Sequence, residues 1–114
     1  MAVRNFTLYF EDILESAQKI LLYTKGMKYD KFISDSKTVD AVIRNFEIIG
    51  EAARQLPKSV KDNHADIEWK AIIAFRNVVV HEYFVINHKI MWDIIRNKIP
   101  SLTKAVEDIL IKGK

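Results

Sequence analysis

Apolar residues recur every three or four positions along most of the chain, which is the spacing that places them on one face of a helix. The pattern predicts long helices over residues 3–24, 36–56, 67–83 and 88–111. A short helical turn is predicted over 29–33, and a polar connector with a short turn over 58–65. Pro100 lacks an amide hydrogen and clashes with the preceding turn, so we expect a kink or a break near Asn97. Short connections between amphipathic helices favour an all-α, up-down four-helix bundle formed by a single domain, residues 1–114.

Residues that start and stop helices lie at the borders of these stretches. Asp35 or Ser36 is expected to cap the second long helix and Asp66 the third, because a side-chain oxygen there accepts hydrogen bonds from the first free amides. Asn87 is expected to do the same for the last helix. Gly26 is expected to end the first helix. These local signals support the helix count.

Composition and charge narrow the class of protein. Hydrophobic residues make up 49% of the 114 residues, which is enough for one core, and the absence of cysteine excludes a disulfide framework and a thiolate metal site. No long uncharged apolar run is present, so no transmembrane helix is expected. Glu11 and Asp12 argue against a secretory signal. We therefore expect a cytoplasmic protein without a membrane partner, and the net charge of +3 is compatible with binding nucleic acid.

The candidate chemistry lies in one apolar stretch, residues 75–84, which holds the pattern Arg76-x-x-x-x-His81-x-Tyr83. RNA carries its own nucleophile, the 2′-hydroxyl. An imidazole exchanges a proton near neutral pH. A guanidinium holds a phosphate through two hydrogen bonds and stabilises charge that develops on it. The pattern therefore fits cleavage of an RNA phosphodiester by Arg76 and His81 without a metal, with Tyr83 positioning the phosphate or a base.

The spacing alone leaves alternatives open. On a continuous helix the directions of Arg76 and His81 differ by about 140°. Either the helix ends near His81 and turns the imidazole inward, or two copies of the protein share the site. A purely structural role is the third alternative, in which His81 interacts with a helix C-terminus and Arg76 pairs with Glu51 or Glu47.

The stretch from Arg76 to Phe84 resembles the Arg-x-x-x-x-His-x-Tyr motif of HEPN-domain toxins of the HepT type. Further blocks resemble the same family in the same order, namely residues 11–14, 23–27, 41–53 and 91–95. The third of these blocks contains Gly50-Glu51-Ala52, and its conjunction with the motif makes the resemblance specific.

This resemblance implies a HEPN-like helical domain that forms a homodimer and sets two Arg–His motifs around one cleft. It implies a toxin that cleaves cellular RNA without a metal or another cofactor. Arg76 and His81 would be catalytic, and Asn77 would support the polar cleft. Apart from the resemblance, the carboxylate of Glu47 or Glu51 is a candidate to orient Arg76, and we predict Glu51 as the supporting residue. Tyr83 would receive AMP from ATP through a partner antitoxin, a minimal nucleotidyltransferase. The alternative is a non-catalytic HEPN interaction module that binds such a nucleotidyltransferase and nucleotide or RNA.

Overall fold

Helices make up most of the structure, which is a computed structural model. It describes the backbone of residues 2–80 and 88–112 and the side chains of residues 6–75 and 88–112. The described residues contain no strand, so the predicted all-α class is confirmed. None of these helices has both the length and the apolar character of a membrane span. The predicted cap Asn87 and the predicted helix end at Tyr83 lie outside the described residues. The helices are α1 (Ala2–Tyr23), α2 (Tyr29–Ser34), α3 (Ser36–Gln55), α4 (Lys58–Asp62), α5 (Trp69–Val80), α6 (His88–Asn97) and α7 (Ile99–Lys112).

Helix α3 connects the other elements of the core, because it packs against α1, α2 and α5. Its Phe46 and Ile49 are fully buried, as are Ile13 and Ile20 of α1. Helix α7 packs on α1, and α6 packs on both α7 and α2. Helix α5, which carries the first part of the predicted motif, is therefore held mainly by α3.

The ends of α1 and α3 follow the predicted signals. After α1, Gly26 adopts a φ of 77°, the left-handed conformation that a glycine tolerates without strain. Before α3, the carboxylate of Asp35 accepts a hydrogen bond of 3.2 Å from the amide of Thr38. After α3, Leu56 is extended, as expected for a residue that precedes Pro57. Local chemistry therefore accounts for the bounds of these two helices.

Asp35→Ala should destabilise the protein at neutral pH, and this loss should shrink in acid. The side chain and the amide of Thr38 donate hydrogen bonds that lower the pKa of Asp35. The carboxylate therefore stabilises the folded state above its unfolded-state pKa, and this stabilisation is lost as the pH falls through the lowered folded-state pKa. Urea unfolding at neutral and acid pH measures the difference. Asp35→Asn is the control, because asparagine caps a helix without titrating. An unchanged midpoint for Asp35→Ala at neutral pH would contradict the prediction.

The last predicted helix is broken, as Pro100 led us to expect. Helix α6 ends at Asn97 and α7 begins at Ile99, so Lys98 lies between them. The amide of Lys98 donates to the carbonyl of Ile94 at 2.9 Å, and the carbonyl of Lys98 accepts a hydrogen bond from the amide of Leu102 at 3.0 Å. Pro100 cannot donate to the turn before it, so the helical hydrogen bonds are interrupted there.

The prediction that Asp66 caps the third long helix is wrong. Helix α5 begins at Trp69, and the residues before it form turns in which the amide of Ile67 donates to the carbonyl of His64 at 3.1 Å. The indole Nε1 of Trp69 donates to the carbonyls of Lys61 and His64 at 3.1 and 3.0 Å. These hydrogen bonds hold the connector against the start of α5, so the helix begins two residues later than predicted.

Candidate functional site

Helix α5 carries the first part of the predicted motif. Arg76 and Asn77 lie in its last two turns, although their side chains are outside the described ones. His81 and Tyr83 lie outside the described residues altogether. The convergence of Arg76 and His81 on one phosphate therefore stays a prediction.

The residue that precedes Arg76 anchors α5 against α3. Phe75 is buried, and its ring centroid lies 5.4 Å from that of Phe46 at an interplanar angle of 58°. Aromatic pairs of this kind contribute about 0.5–1.5 kcal/mol beyond the area that they bury. Ile72, one turn earlier, is also buried, and the indole hydrogen bonds of Trp69 hold the first turn. The backbone at position 76 is thus well supported from α3.

Glu51, the supporting residue predicted on α3, is in contact with its own helix. Its carboxylate accepts hydrogen bonds from Arg54 at 2.7 and 3.3 Å and from Gln55 at 2.9 Å. The hydrogen bond and then the negative charge of Glu51 raise the pKa of Arg54. These neighbours orient the carboxylate of Glu51 along α3, and its predicted role toward Arg76 stays a prediction.

A groove of about 480 Å³ that the sequence pattern did not indicate lies between α1 and α3. Tyr9 and Asp12 line it from α1, and Arg44, Glu47 and Glu51 line it from α3. Three of these five side chains are carboxylates and one is a guanidinium, so the net charge of the groove is negative and disfavours the phosphates of RNA. The groove forms only where the two helices pack against each other. The sequence did not predict it, because Asp12 has the pattern of an ordinary solvent-facing residue of α1.

Side chains able to bind a metal are scattered. Within residues 6–75 and 88–112, no three histidine, aspartate or glutamate side chains are close enough together to hold a metal ion. His64 instead packs edge-on against Phe10, with ring centroids 5.8 Å apart and an interplanar angle of 83°. Because His81 lies outside these residues, metal independence of the chemistry stays a prediction.

Comparison with known proteins places the chain in a family. Residues 13–109 match a family model described as "Ribonuclease HepT-like". The chain is 39% identical over 106 residues to a "Putative RNase" of Caldanaerobacter subterraneus, covering 93% of this chain and 95% of that protein. It is 38% identical over 110 residues to a "Putative RNase" of Methanocaldococcus jannaschii, covering 96% of this chain and 91% of that protein.

A third relative carries the same name as the family model. The chain is 36% identical over 106 residues to a "Probable ribonuclease HepT" of Thermococcus cleftensis, covering 93% of this chain and 96% of that protein. No solved structure gives a significant match. The family model spans most of the chain and these relatives match it over nearly their whole length, which confirms the resemblance found in the sequence: the chain belongs to the HepT-like ribonuclease family.

Proposed function

We propose that this chain is a metal-independent endoribonuclease, acting in the cytoplasm as the toxin of a toxin–antitoxin pair. The observation that carries the proposal is membership of the HepT-like ribonuclease family in a chain that holds Arg76 and His81 at the motif spacing. The relatives named as RNases agree with RNA as the substrate class. The active form is a homodimer of a single HEPN-like four-helix domain, residues 1–114.

Cleavage proceeds through the nucleophile that RNA itself supplies. His81 removes the proton of a 2′-hydroxyl, and the 2′-oxygen forms a bond to the adjacent phosphorus. The bond from phosphorus to the 5′-oxygen breaks, and this oxygen leaves as a hydroxyl after it receives a proton. The products are a 2′,3′-cyclic phosphate and a 5′-hydroxyl end. Arg76 holds the non-bridging oxygens and stabilises the charge that develops on them, and Asn77 supports the polar cleft.

A dimer resolves the angular problem of the motif. Because Arg76 and His81 point about 140° apart on a continuous helix, one copy alone aims them at different places. Two copies related by a twofold axis bring both motifs to the same cleft, so that a guanidinium and an imidazole meet across the interface. The second imidazole is then available to protonate the leaving oxygen.

The same site explains how an antitoxin neutralises the protein. A nucleotidyltransferase partner activates the hydroxyl of Tyr83, which attacks the α-phosphorus of ATP, forms a tyrosine–AMP bond and releases pyrophosphate. The attached AMP is bulky and anionic. Lying near Arg76, it fills the cleft and competes with the phosphate of RNA for the guanidinium.

The purified chain should cleave single-stranded RNA in EDTA as fast as in Mg²⁺ and leave 2′,3′-cyclic phosphate ends. Neither step of the proposed reaction uses a metal, so the chelator should have no effect. Intact-mass spectrometry must first show that Tyr83 is unmodified, because attached AMP blocks the cleft. Activity that EDTA removes and Mg²⁺ restores would contradict metal independence. Binding of RNA without cleavage by unmodified protein would instead support the non-catalytic HEPN interaction module.

A further inference from the structure

An aromatic cluster with a cation over it lies where α2 packs against α6. The ring of Trp92 lies 6.5 Å from that of Tyr29 and 5.0 Å from that of Phe32. The guanidinium carbon of Arg96 lies 5.7 Å from the centroid of the Trp92 ring, within the range of a cation–π interaction. Phe32 is fully buried, Tyr29 and Trp92 are partly exposed, and Arg96 is exposed. Phe32 therefore forms the buried side of the cluster, and the other three side chains form its solvent-accessible side.

The charges around this cluster are predominantly positive. Residues 28–34 and 88–97 contain four lysine or arginine side chains and two aspartates. One of the two, Asp93, already accepts a hydrogen bond of 2.6 Å from Asn97. Of the four cations, Lys31 faces the carboxylate of Asp35, the residue that ends α2. In the part of the chain that the structure describes, the other three form no ion pair, whereas Lys58 and Lys98 do. These four cations are Lys28, Lys31, Lys89 and Arg96.

Helical spacing places the cations and the aromatic rings together. Lys89, Trp92 and Arg96 follow one another at intervals of three and four residues, so they share one face of α6. Tyr29 reaches the same ring from α2, and Lys28 directly precedes it. We call these five residues the α2–α6 surface.

We infer that the α2–α6 surface binds single-stranded RNA. Proteins that bind single strands combine cations along the backbone with aromatic rings on which bases stack, which is the combination present here. Arg96 binds a phosphate, and its contact with Trp92 restricts the guanidinium before RNA arrives, which reduces the entropy lost on binding. Tyr29 offers the partly exposed ring on which a neighbouring base stacks.

The surface adjoins the proposed catalytic motif along the chain, and in this respect the inference rests on the proposed function. Lys89, the residue of this surface that follows the motif most closely along the chain, comes eight residues after His81, so the two positions are at most about 29 Å apart. A single strand of a few nucleotides spans such a distance. The α2–α6 surface therefore holds the part of the RNA that flanks the cleaved bond.

Arg96→Ala should raise the Kd for a short 2′-O-methyl RNA by about fivefold or more and reduce the slope of log Kd against log salt by about 0.7. Fluorescence anisotropy of the labelled RNA measures both. The methylated RNA lacks the 2′-nucleophile, so binding is read without cleavage. Lys104→Ala is the matched control, because it removes an exposed cation from α7, and it should change Kd by no more than about twofold.

The outcomes separate this inference from the proposed function. Arg96-dependent binding by a chain that fails to cleave ordinary RNA would support the α2–α6 surface and reject the nuclease. Equal Kd values for Arg96→Ala and Lys104→Ala would overturn the inference. It would also be overturned if Arg96→Ala lost binding to poly-glutamate but kept binding to RNA, because that result would indicate an acidic protein partner. Lys89→Ala is the second variant, for use where Arg96→Ala perturbs the fold. It removes an exposed cation and leaves all the aromatic side chains in place. It should also raise the Kd for RNA.

Discussion

His81→Ala should lower the rate of RNA cleavage by at least about 100-fold and leave the helical fold intact. Alanine cannot accept the proton of the 2′-hydroxyl, so the nucleophile stays protonated and weak. Arg76→Ala should cause a comparable loss, because the developing phosphate charge then has no fixed counter-charge. Arg76→Lys should recover only part of the rate, since an ammonium restores the charge without the two parallel hydrogen bonds of a guanidinium.

Single-turnover cleavage of labelled RNA in EDTA measures these rates, and far-UV circular dichroism with thermal melts checks the fold. His64→Ala is the matched control, because His64 lies in the connector before α5 and packs against Phe10. It should retain nearly the full rate below its melting temperature. If His81→Ala cleaves RNA normally but melts at a lower temperature, the motif has the structural role that its spacing also allowed.

The helix bounds that the sequence predicted well are those determined by contacts within a few residues. The positive φ of Gly26 and the hydrogen bond from Thr38 to Asp35 both involve immediate neighbours. The break before Pro100 follows from the covalent structure of proline. In each case the residue type states its own conformational requirement, so no knowledge of the core is needed.

Asp66 shows where local reasoning fails. Its carboxylate is a good cap, but the start of α5 depends on the indole of Trp69 reaching the carbonyls of Lys61 and His64. The α2–α6 surface was not predicted for a related reason, because Tyr29 and Trp92 are far apart in the sequence and meet only through packing. Sequence spacing identifies the candidate residues of a site, whereas tertiary packing determines whether those residues lie close together.

The same limit applies to the catalytic motif. Residue types and spacing single out Arg76 and His81 and exclude their convergence on one undistorted helix. Whether two copies bring them together depends on the shape of an interface, which spacing does not encode. Membership of the HepT-like ribonuclease family supports the assignment of the chemistry, and the packing of α5 on α3 supplies the support for position 76.

Phe46→Ala should lower the free energy of unfolding by about 3–5 kcal/mol. Phe46 is fully buried in α3, and its ring contacts that of Phe75 in α5 at 5.4 Å. Removing the ring deletes buried apolar area and leaves a cavity between the two helices, which the backbone fills only in part. Because small domains have a total stability of about 5–15 kcal/mol, this one substitution removes a large fraction of it.

Urea unfolding followed by circular dichroism measures the loss. Ile111→Ala, at a side chain that is 72% exposed on α7, should change stability by less than about 0.5 kcal/mol. Phe46→Leu keeps most of the buried volume and should lower the free energy of unfolding by less than Phe46→Ala does.

Because Phe75 precedes Arg76, cleavage by folded Phe46→Leu protein also tests whether the contact between α3 and α5 positions the guanidinium. A slower rate with an unchanged melting temperature would show positioning, and equal unfolding energies for Phe46→Ala and Ile111→Ala would show that this contact does not hold α5.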